Sequence, residues 1–351
     1  DKETLRKQVN VGLQKLYPLQ RSDGGFGYFA LSERSDPALT AYIVYALTQT
    51  RNAKFPIDES VLAKAEQYLQ NTLRSTEKET PFNLALRTQI LFTLAESGKS
   101  DVNALTALAK KRKDLPLFSR AQLAIALNKT GNVNALVLSE TVLDEVLANA
   151  KVDPRGLHFE EKHPEYWSQL YSTEARTTAL VIHALARIQP EHPLLPQTVR
   201  SLLLLKKDDH WDTTQSSIAA IIALKEIVLA RNELKGNSKG TVRLNGTLIG
   251  TAEFPINERL GQREFVFPLS SFTLGANNPL SIQQEGSGRL YEDLTFTYRL
   301  KNPQEPRREE GMSIERRIEP LKKGVEGIVT GETYRVTVTV TSAQARHHVA
   351  V

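Results

Sequence analysis

Residues Asp23 to Leu47 read DGGFGYFALSERSDPALTAYIVYAL. A Gly-aromatic turn comes first, a polar loop follows, and Asp36-Pro37 opens an apolar helix. Asp is placed to accept from the first backbone N–H groups of that helix, and Pro costs nothing at a first position, where the N–H has no intrahelical partner. From Ala38 to Leu47 nearly every residue is apolar, so other helices are expected to enclose this one. The same grammar returns at Asp208 to Glu226, DDHWDTTQSSIAAIIALKE, and its helical half recurs several times between. Residues 1–237 are therefore read as a repeat of helix pairs.

Outward from the opening stretch, Leu5, Val9, Leu13 and Leu16 keep one helical face apolar until Tyr17-Pro18. Downstream, apolar helices at Leu84 to Leu94, Phe118 to Leu127, Ser172 to Ile188 and Ser216 to Leu229 alternate with amphipathic ones at Asp58 to Leu73, Val102 to Ala109, Val133 to Ala148 and Val199 to Leu205. Asp212 and Gln215 have capping-box spacing at the start of the last. The repeat is loose, roughly 33 to 58 residues, whereas regular solenoids keep a tighter period. Irregular spacing with long Gly-aromatic loops predicts an α/α toroid, an inner ring of helices inside an outer one, with a helix pair missing at the N-terminus.

After Gly236 the pattern changes. TVRLNGTLI, Thr241 to Ile249, predicts a β-hairpin on an Asn-Gly turn. Glu264 to Leu269 reads as a further strand, and Leu294, Phe296, Tyr298 and Leu300 alternate at strand period. Residues 238–301 are expected to form a β-sandwich. Asn302 to Gly311 reads as a linker, and Met312 to Ile318 and Tyr334 to Thr341 as strands of a further β domain over residues 302–351, cut off partway.

The net charge of +5 is mild, and Lys and Arg are interleaved with Asp and Glu, which argues against a nucleic-acid surface. The run Lys110 to Lys113 is too short to change that and reads as a solvated helix end. With no cysteine, the chain can form neither a disulfide nor a thiolate metal site and holds no cysteine nucleophile. No apolar run reaches the roughly 18 residues of a membrane span, and DKETLRKQ is not a signal peptide.

Candidate chemistry is sparse. Gly24-Gly25-Phe26-Gly27-Tyr28 can be read as a phosphate cradle, but such loops need a strand before and a helix directly after. The alternative is a structural turn, with Phe26 and Tyr28 packed on neighbouring helices. His158 and His163 flank Glu160 and Glu161, with Trp167 nearby, but LHFEEKHPEYW lacks the HExxH spacing of a zinc helix and reads as a surface loop. His183, on an apolar helix, reads as a satisfied core histidine. Asp208, Asp209 and Asp212 around His210 and Trp211 resemble the paired carboxylates of a toroidal glycoside hydrolase, but acidic residues before a helix are also what capping and the helix dipole select, and the capping reading is preferred. His347 and His348 carry little specificity.

QRSDGGFGYF, SDPALTAYIVYAL, STEARTTALVIHALA and WDTTQSSIAAIIAL, in that order, resemble the thioester domain of the alpha-2-macroglobulin family. Gln20, Asp23, Gly24, Leu39, Thr40, Ala41, Glu174, Thr178, Thr214 and Gln215 fall on matching positions, while Asp209-His210-Trp211 stands where two glycines and an aromatic are usual. The resemblance extends to a CUB-like β-sandwich ending in LYEDLTFTYRL, and to the opening of a receptor-binding macroglobulin-like domain from Met312. The absence of cysteine points to a bacterial member.

The resemblance implies an endopeptidase inhibitor and not an enzyme, whose partners are target proteases and other domains of the same chain. It implies no cofactor and a periplasmic or cell-envelope location, with a membrane tie only through an upstream lipid anchor. A Cys-x-Glu-Gln thioester motif, where the family has one, would lie upstream of this chain. Asn83 is the nearest polar candidate beside its place. The turns from Asp23 to Phe29 and from His158 to Trp167 are candidate contact surfaces, with Asp23, Gly24, Phe26, Tyr28, His158 and Trp167 as the interaction residues. The competing readings are a toroidal enzyme using Asp208, Asp209 or Asp212, and a plain scaffold. The Gly-aromatic turns also resemble those of terpene cyclases and prenyltransferases, whose acidic and cysteine motifs are absent.

Overall fold

The structure is a computed structural model that describes residues 2–30, 32–74, 78–153, 156–161, 170–207, 210–256, 261–292, 294–297, 312–322, 324 and 327–342. It divides into two compact units, Asp1–Leu290 and Tyr291–Val351.

The first unit holds α1 (Lys2–Leu16), α2 (Pro37–Asn52), α3 (Glu59–Arg74), α4 (Pro81–Glu96), α5 (Val102–Ala109), α6 (Leu117–Lys129), α7 (Val133–Leu147), α8 (Glu174–Ile188), α9 (Leu195–Leu204) and α10 (Thr214–Ala230). Their starts are written in the sequence. Asp36 accepts from Leu39 N at 2.7 Å, and Thr80, Asp101, Asn132, Thr173 and Thr213 accept in the same way at α4, α5, α7, α8 and α10. Each such cap contributes about 1 kcal/mol.

Apolar and amphipathic helices occupy different places. α2, α4, α6, α8 and α10 pack on one another in that order, and α3, α5, α7 and α9 pack behind them. In α8 every residue from Ala175 to Ala186 is buried, whereas α3 buries one stripe formed by Val61, Leu62, Ala65 and Leu69. One core runs through α4 to α10 and a second lies among α1 to α4, with Leu73 and Leu86 touching both. α2 and α10, the ends of the inner row, share no broad contact among the described residues, so the row is an open arc. The face that α10 turns to this opening is apolar and exposed at Ile218, Ile221 and Leu229.

Two β elements belong to the same unit. β1 (Lys151–Asp153) and β2 (Gly156–His158) form a short hairpin against α9. β3 (Asn237–Leu244), β4 (Thr247–Phe254) and β5 (Leu280–Ser287) make an antiparallel sheet of order β4-β3-β5. Asn245 and Gly246, at φ 52° and 80°, form the predicted hairpin turn. Glu264 to Leu269 is not a strand. Phe265 instead lies over Gly250, so close that a Cβ there would sit 2.4 Å from the ring. Its alternation records packing on the sheet face and not pairing. A second layer of the expected sandwich is not among the described strands, and Tyr298 and Leu300 lie outside the described residues.

In the second unit β6 (Met312–Pro320) pairs antiparallel with β7 (Tyr334–Ser342), from Met312 opposite Ser342 to Pro320 opposite Tyr334. Leu294 and Phe296 are outside any strand, and the linker reading at Asn302 to Gly311 falls outside the described residues.

Candidate functional site

The turn that opens the first repeat is a closed hydrogen-bonded unit. Gln20 donates through Nε2 to the carbonyls of Gly24 at 3.0 Å and Val61 at 2.8 Å, tying the turn to α3. Asp23 Oδ1 accepts from Gly25 N at 3.0 Å and Ser35 Oγ at 2.7 Å. Gly24 has φ +89°, and a Cβ there would lie 2.4 Å from Lys64 O, so both conformation and space require glycine. The backbone amides of Gly24, Gly25, Phe26 and Gly27 are all bonded to acceptors of the protein itself. The structural-turn reading therefore holds over the phosphate-cradle one.

Phe26 is wholly buried, and its N–H donates to Thr40 Oγ1 of α2 at 2.9 Å. The same arrangement occurs twice more. Phe159, also wholly buried, donates to Thr178 Oγ1 of α8 at 3.1 Å, and Trp211 donates to Ser217 Oγ of α10 at 3.2 Å. Trp211 also gives its indole N–H to Leu202 O at 2.7 Å. An aromatic pinned by its backbone to a hydroxyl near the start of the next inner helix is thus the shared element of three repeats.

This corrects the reading of residues 157–161 as a surface loop. Leu157, His158 and Phe159 are buried because they end β2 and run beneath α8. His158 Nε2 lies 3.0 Å from Glu160 Oε1 and 3.7 Å from Glu174 Oε1, and Lys151 reaches Glu160 at 2.7 Å. Lys151 and then His158 hold the Glu160 carboxyl below its ordinary range. Glu161 accepts from Leu117 N at 3.2 Å and Phe118 N at 2.9 Å, supplying α6 with the cap that Pro116 cannot give. Burial still pushes the Glu161 carboxyl up. His163 and Trp167 lie outside the described residues.

Of the six expected contact residues, Gly24, Phe26 and His158 are inside the fold, held there by the packing just described. Asp23 is exposed with its carboxylate committed to the turn. Tyr28 is also exposed, and its hydroxyl meets that of Tyr171 at 3.1 Å. The expectation that Phe26 and Tyr28 both pack on neighbouring helices holds for the buried Phe26 and is corrected for Tyr28, which is 52% exposed.

Asp212 does not cap α10. Its carboxylate accepts from Thr213 N at 3.0 Å, and Thr213 is the cap, accepting from Ser216 N at 3.0 Å. Asp208 and Asp209 lie outside the described residues, as do His347 and His348. Nothing described places a second carboxylate opposite Asp212, which is the geometry glycoside hydrolysis needs. Asn83 spends its side-chain amide on Lys78 O at 2.8 Å. Among the described residues no group of three or more His, Asp or Glu is placed to hold a metal ion.

The polar centre of the arc was not legible in the sequence. At its base Arg187 of α8 bonds Glu96 of α4 at 2.5 and 3.2 Å and Glu226 of α10 at 3.1 Å. Burial pushes the Glu226 carboxyl up, but the Arg187 charge and hydrogen bond outweigh it and bring it down to about 2. Beside this triad the inner helices line a cavity of about 40 Å³ that is partly open to solvent, onto which Tyr42, Tyr45, Gln89, Gln122, Arg176 and His183 face. His183 is buried as expected, yet its Nε2 has no partner. Burial and the Arg187 charge push it down to about 3, so the ring is neutral. The sequence signal was Arg176 and His183 within the buried run of α8.

No family model matches the chain. It is 28% identical over 321 residues to an alpha-2-macroglobulin homolog of Nostoc sp., covering 89% of this chain and 16% of that protein. It is 24% identical over 306 residues to the alpha-2-macroglobulin of Escherichia coli, covering 82% of this chain and 17% of that protein. The chain fits the bacterial alpha-2-macroglobulin family. Solved macroglobulins share the fold. A Salmonella alpha-2-macroglobulin reacted with methylamine aligns with 97% of this chain and 21% of its own at TM-score 0.55 and 19% identity. Escherichia coli alpha-2-macroglobulin activated by porcine elastase aligns with 97% of this chain and 29% of its own at TM-score 0.53 and 16% identity. The chain therefore spans under a fifth of the length of these curated macroglobulins.

Proposed function

We propose that this chain is the C-terminal portion of a bacterial alpha-2-macroglobulin that inhibits endopeptidases by trapping them after bait cleavage. The observation that carries the reading is the ordered match to a macroglobulin across 89% of the chain, helices and sheets together. On this reading residues 1–237 are a thioester-domain-like toroid, residues 238–301 a CUB-like module, and residues 302–351 the start of a receptor-binding macroglobulin-like domain. The exposed apolar face of α10 supports it, because a preceding helix pair packed there would close the arc. Covalent capture, if the parent protein uses it, depends on a thioester upstream of Asp1. A periplasmic or cell-envelope location goes with the reading. Among the described residues no helix is long and apolar enough to cross a membrane.

The test uses the longer protein that contains this chain. It is expected to suppress cleavage of large protein substrates by several unrelated endopeptidases while leaving small peptide substrates accessible to them. Equal cleavage of both substrates would refute the proposal. Intact mass with and without methylamine then separates the mechanisms. Gain of one methylamine with release of a thiol assigns covalent capture, and no change assigns steric trapping.

A further inference from the structure

Arg176 of α8 is only 6% exposed. One of its N–H groups reaches Leu170 O at 3.2 Å, and its guanidinium lies 5.7 Å from the centre of the Phe118 ring. Among the described residues no carboxylate pairs with it, in contrast to Arg187 about three turns further along the same face of α8, which holds two. Burial lowers its pKa to about 10, so it remains a cation at neutral pH. A guanidinium has further N–H donors in a planar fork that matches a carboxylate.

The cavity beside it is built for a polar guest. Gln89, Gln122 and His183 are each at most 2% exposed, and Gln89 Oε1, Gln122 Oε1 and His183 Nε2 make no hydrogen bond. The hydroxyl-bearing rings of Tyr42 and Tyr45 also face it, with Thr93 and Gln215, while Phe92, Leu180, Ile218, Ala219 and Ile222 supply an apolar remainder of the lining. A volume of about 40 Å³ takes roughly three water-sized groups. Water alone answers the amides and the imidazole and leaves the buried charge uncompensated, which is the costly case. A small oxyanion answers both, because its oxygens accept from Arg176 and the tyrosines, and an accompanying water, or the remaining O–H of bicarbonate, donates to the unpartnered acceptors.

We infer that this cavity binds a small free anion of the carboxylate class, of the size of formate, acetate or bicarbonate, with Arg176 as its principal ligand. Every inner helix contributes to the lining, so occupancy ties the two ends of the open arc through a common guest.

Thermal unfolding of the 351-residue chain at fixed ionic strength tests this, with formate, acetate, bicarbonate or the bulkier benzoate replacing chloride. The midpoint is expected to rise saturably with the three small anions and to match chloride with benzoate. In Arg176→Met the response is expected to weaken by about tenfold or more in apparent affinity, as loss of a charge-assisted contact requires. Line broadening of carbon-13 formate by the unmodified chain, reversed by acetate, checks the same site without any variant. Equal midpoints in all anions, an unchanged response in Arg176→Met, or no broadening would overturn the inference. In the first case water or a side-chain carboxylate from another segment is the partner.

Discussion

Replacing Arg187 by Met tests whether the triad at the base of the arc joins α8 to α4 and α10. The substitution preserves much of the side-chain length and apolar stem but strands Glu96, whose side chain is 3% exposed, and Glu226, at 14%. Removing one partner of a buried pair costs roughly 3–5 kcal/mol, mainly because the remaining charge is left uncompensated. An independent bound comes from Glu226. A carboxyl brought from its ordinary value to about 2 corresponds to roughly 3 kcal/mol at most, and partial solvent access reduces this to about 1–3 kcal/mol. Both routes place the loss near 3 kcal/mol. For a helical unit of this size that lowers the melting midpoint by roughly 6–12 °C.

The pH dependence separates this charge argument from simple loss of packing. The folded pKa of Glu226 lies below its unfolded value, so its stabilisation is complete above the unfolded value and is lost as pH falls from about 5 towards about 2. The unmodified chain therefore loses this contribution on acidification, whereas Arg187→Met has little of it to lose. Urea unfolding of both chains at pH 7 and at pH 4 is expected to show a gap that narrows in acid. A second substitution, Glu96→Gln in the Met background, is expected to recover about half of the loss. A gap below 1 kcal/mol at pH 7, or one that is equal at both pH values, would refute the reasoning.

Other outcomes follow from the turns and their staples. Gly24→Ala combines φ +89° with a Cβ only 2.4 Å from Lys64 O, so it is expected to cost at least about 2 kcal/mol by thermal unfolding. Thr178→Val keeps the shape but leaves the buried Phe159 N–H without its acceptor, a loss of about 1–3 kcal/mol that Thr178→Ser should largely avoid. Phe159→Ala is expected to cost about 3–5 kcal/mol, matching Phe26→Ala, whereas a surface-loop aromatic would cost almost nothing. Asp212→Asn should leave helix stability within about 0.5 kcal/mol, and Thr213→Ala should lower it by about 1 kcal/mol, because Thr213 is the cap.

What the sequence showed and what it hid divide along the range of the interactions. Helix starts were legible because a cap and the amide it satisfies lie three residues apart, as at Asp36 and Leu39. Inner and outer helices were legible because one-sided or all-round apolarity reports directly on burial. Asn245-Gly246 was legible because the turn itself demands those backbone angles. By contrast, Glu161 caps a helix 43 and 44 residues away, and nothing local in LHFEE marks it. Arg187 meets Glu96 across 91 residues, and the lining of the Arg176 cavity is drawn from helices spread along the whole arc. Such long-range polar contacts leave no periodic trace, so the most distinctive chemistry in the chain was also the least visible. The strand misread at Glu264 to Leu269 is the converse case, since packing of Phe265 on Gly250 imitates the alternation of pairing.

The three aromatic staples also bear on why the repeats can diverge while the architecture holds. Their spacings differ, with the hydroxyl 14 residues after Phe26, 19 after Phe159 and 6 after Trp211. The intervening loop can therefore lengthen or shrink without moving the aromatic, because its position is set by its own N–H and by burial of its ring. Loop closure adds only about 0.6 kcal/mol for each doubling of length, far less than burial of a large aromatic supplies. A repeat built this way keeps its inner helix in place and leaves the connecting loop free to vary.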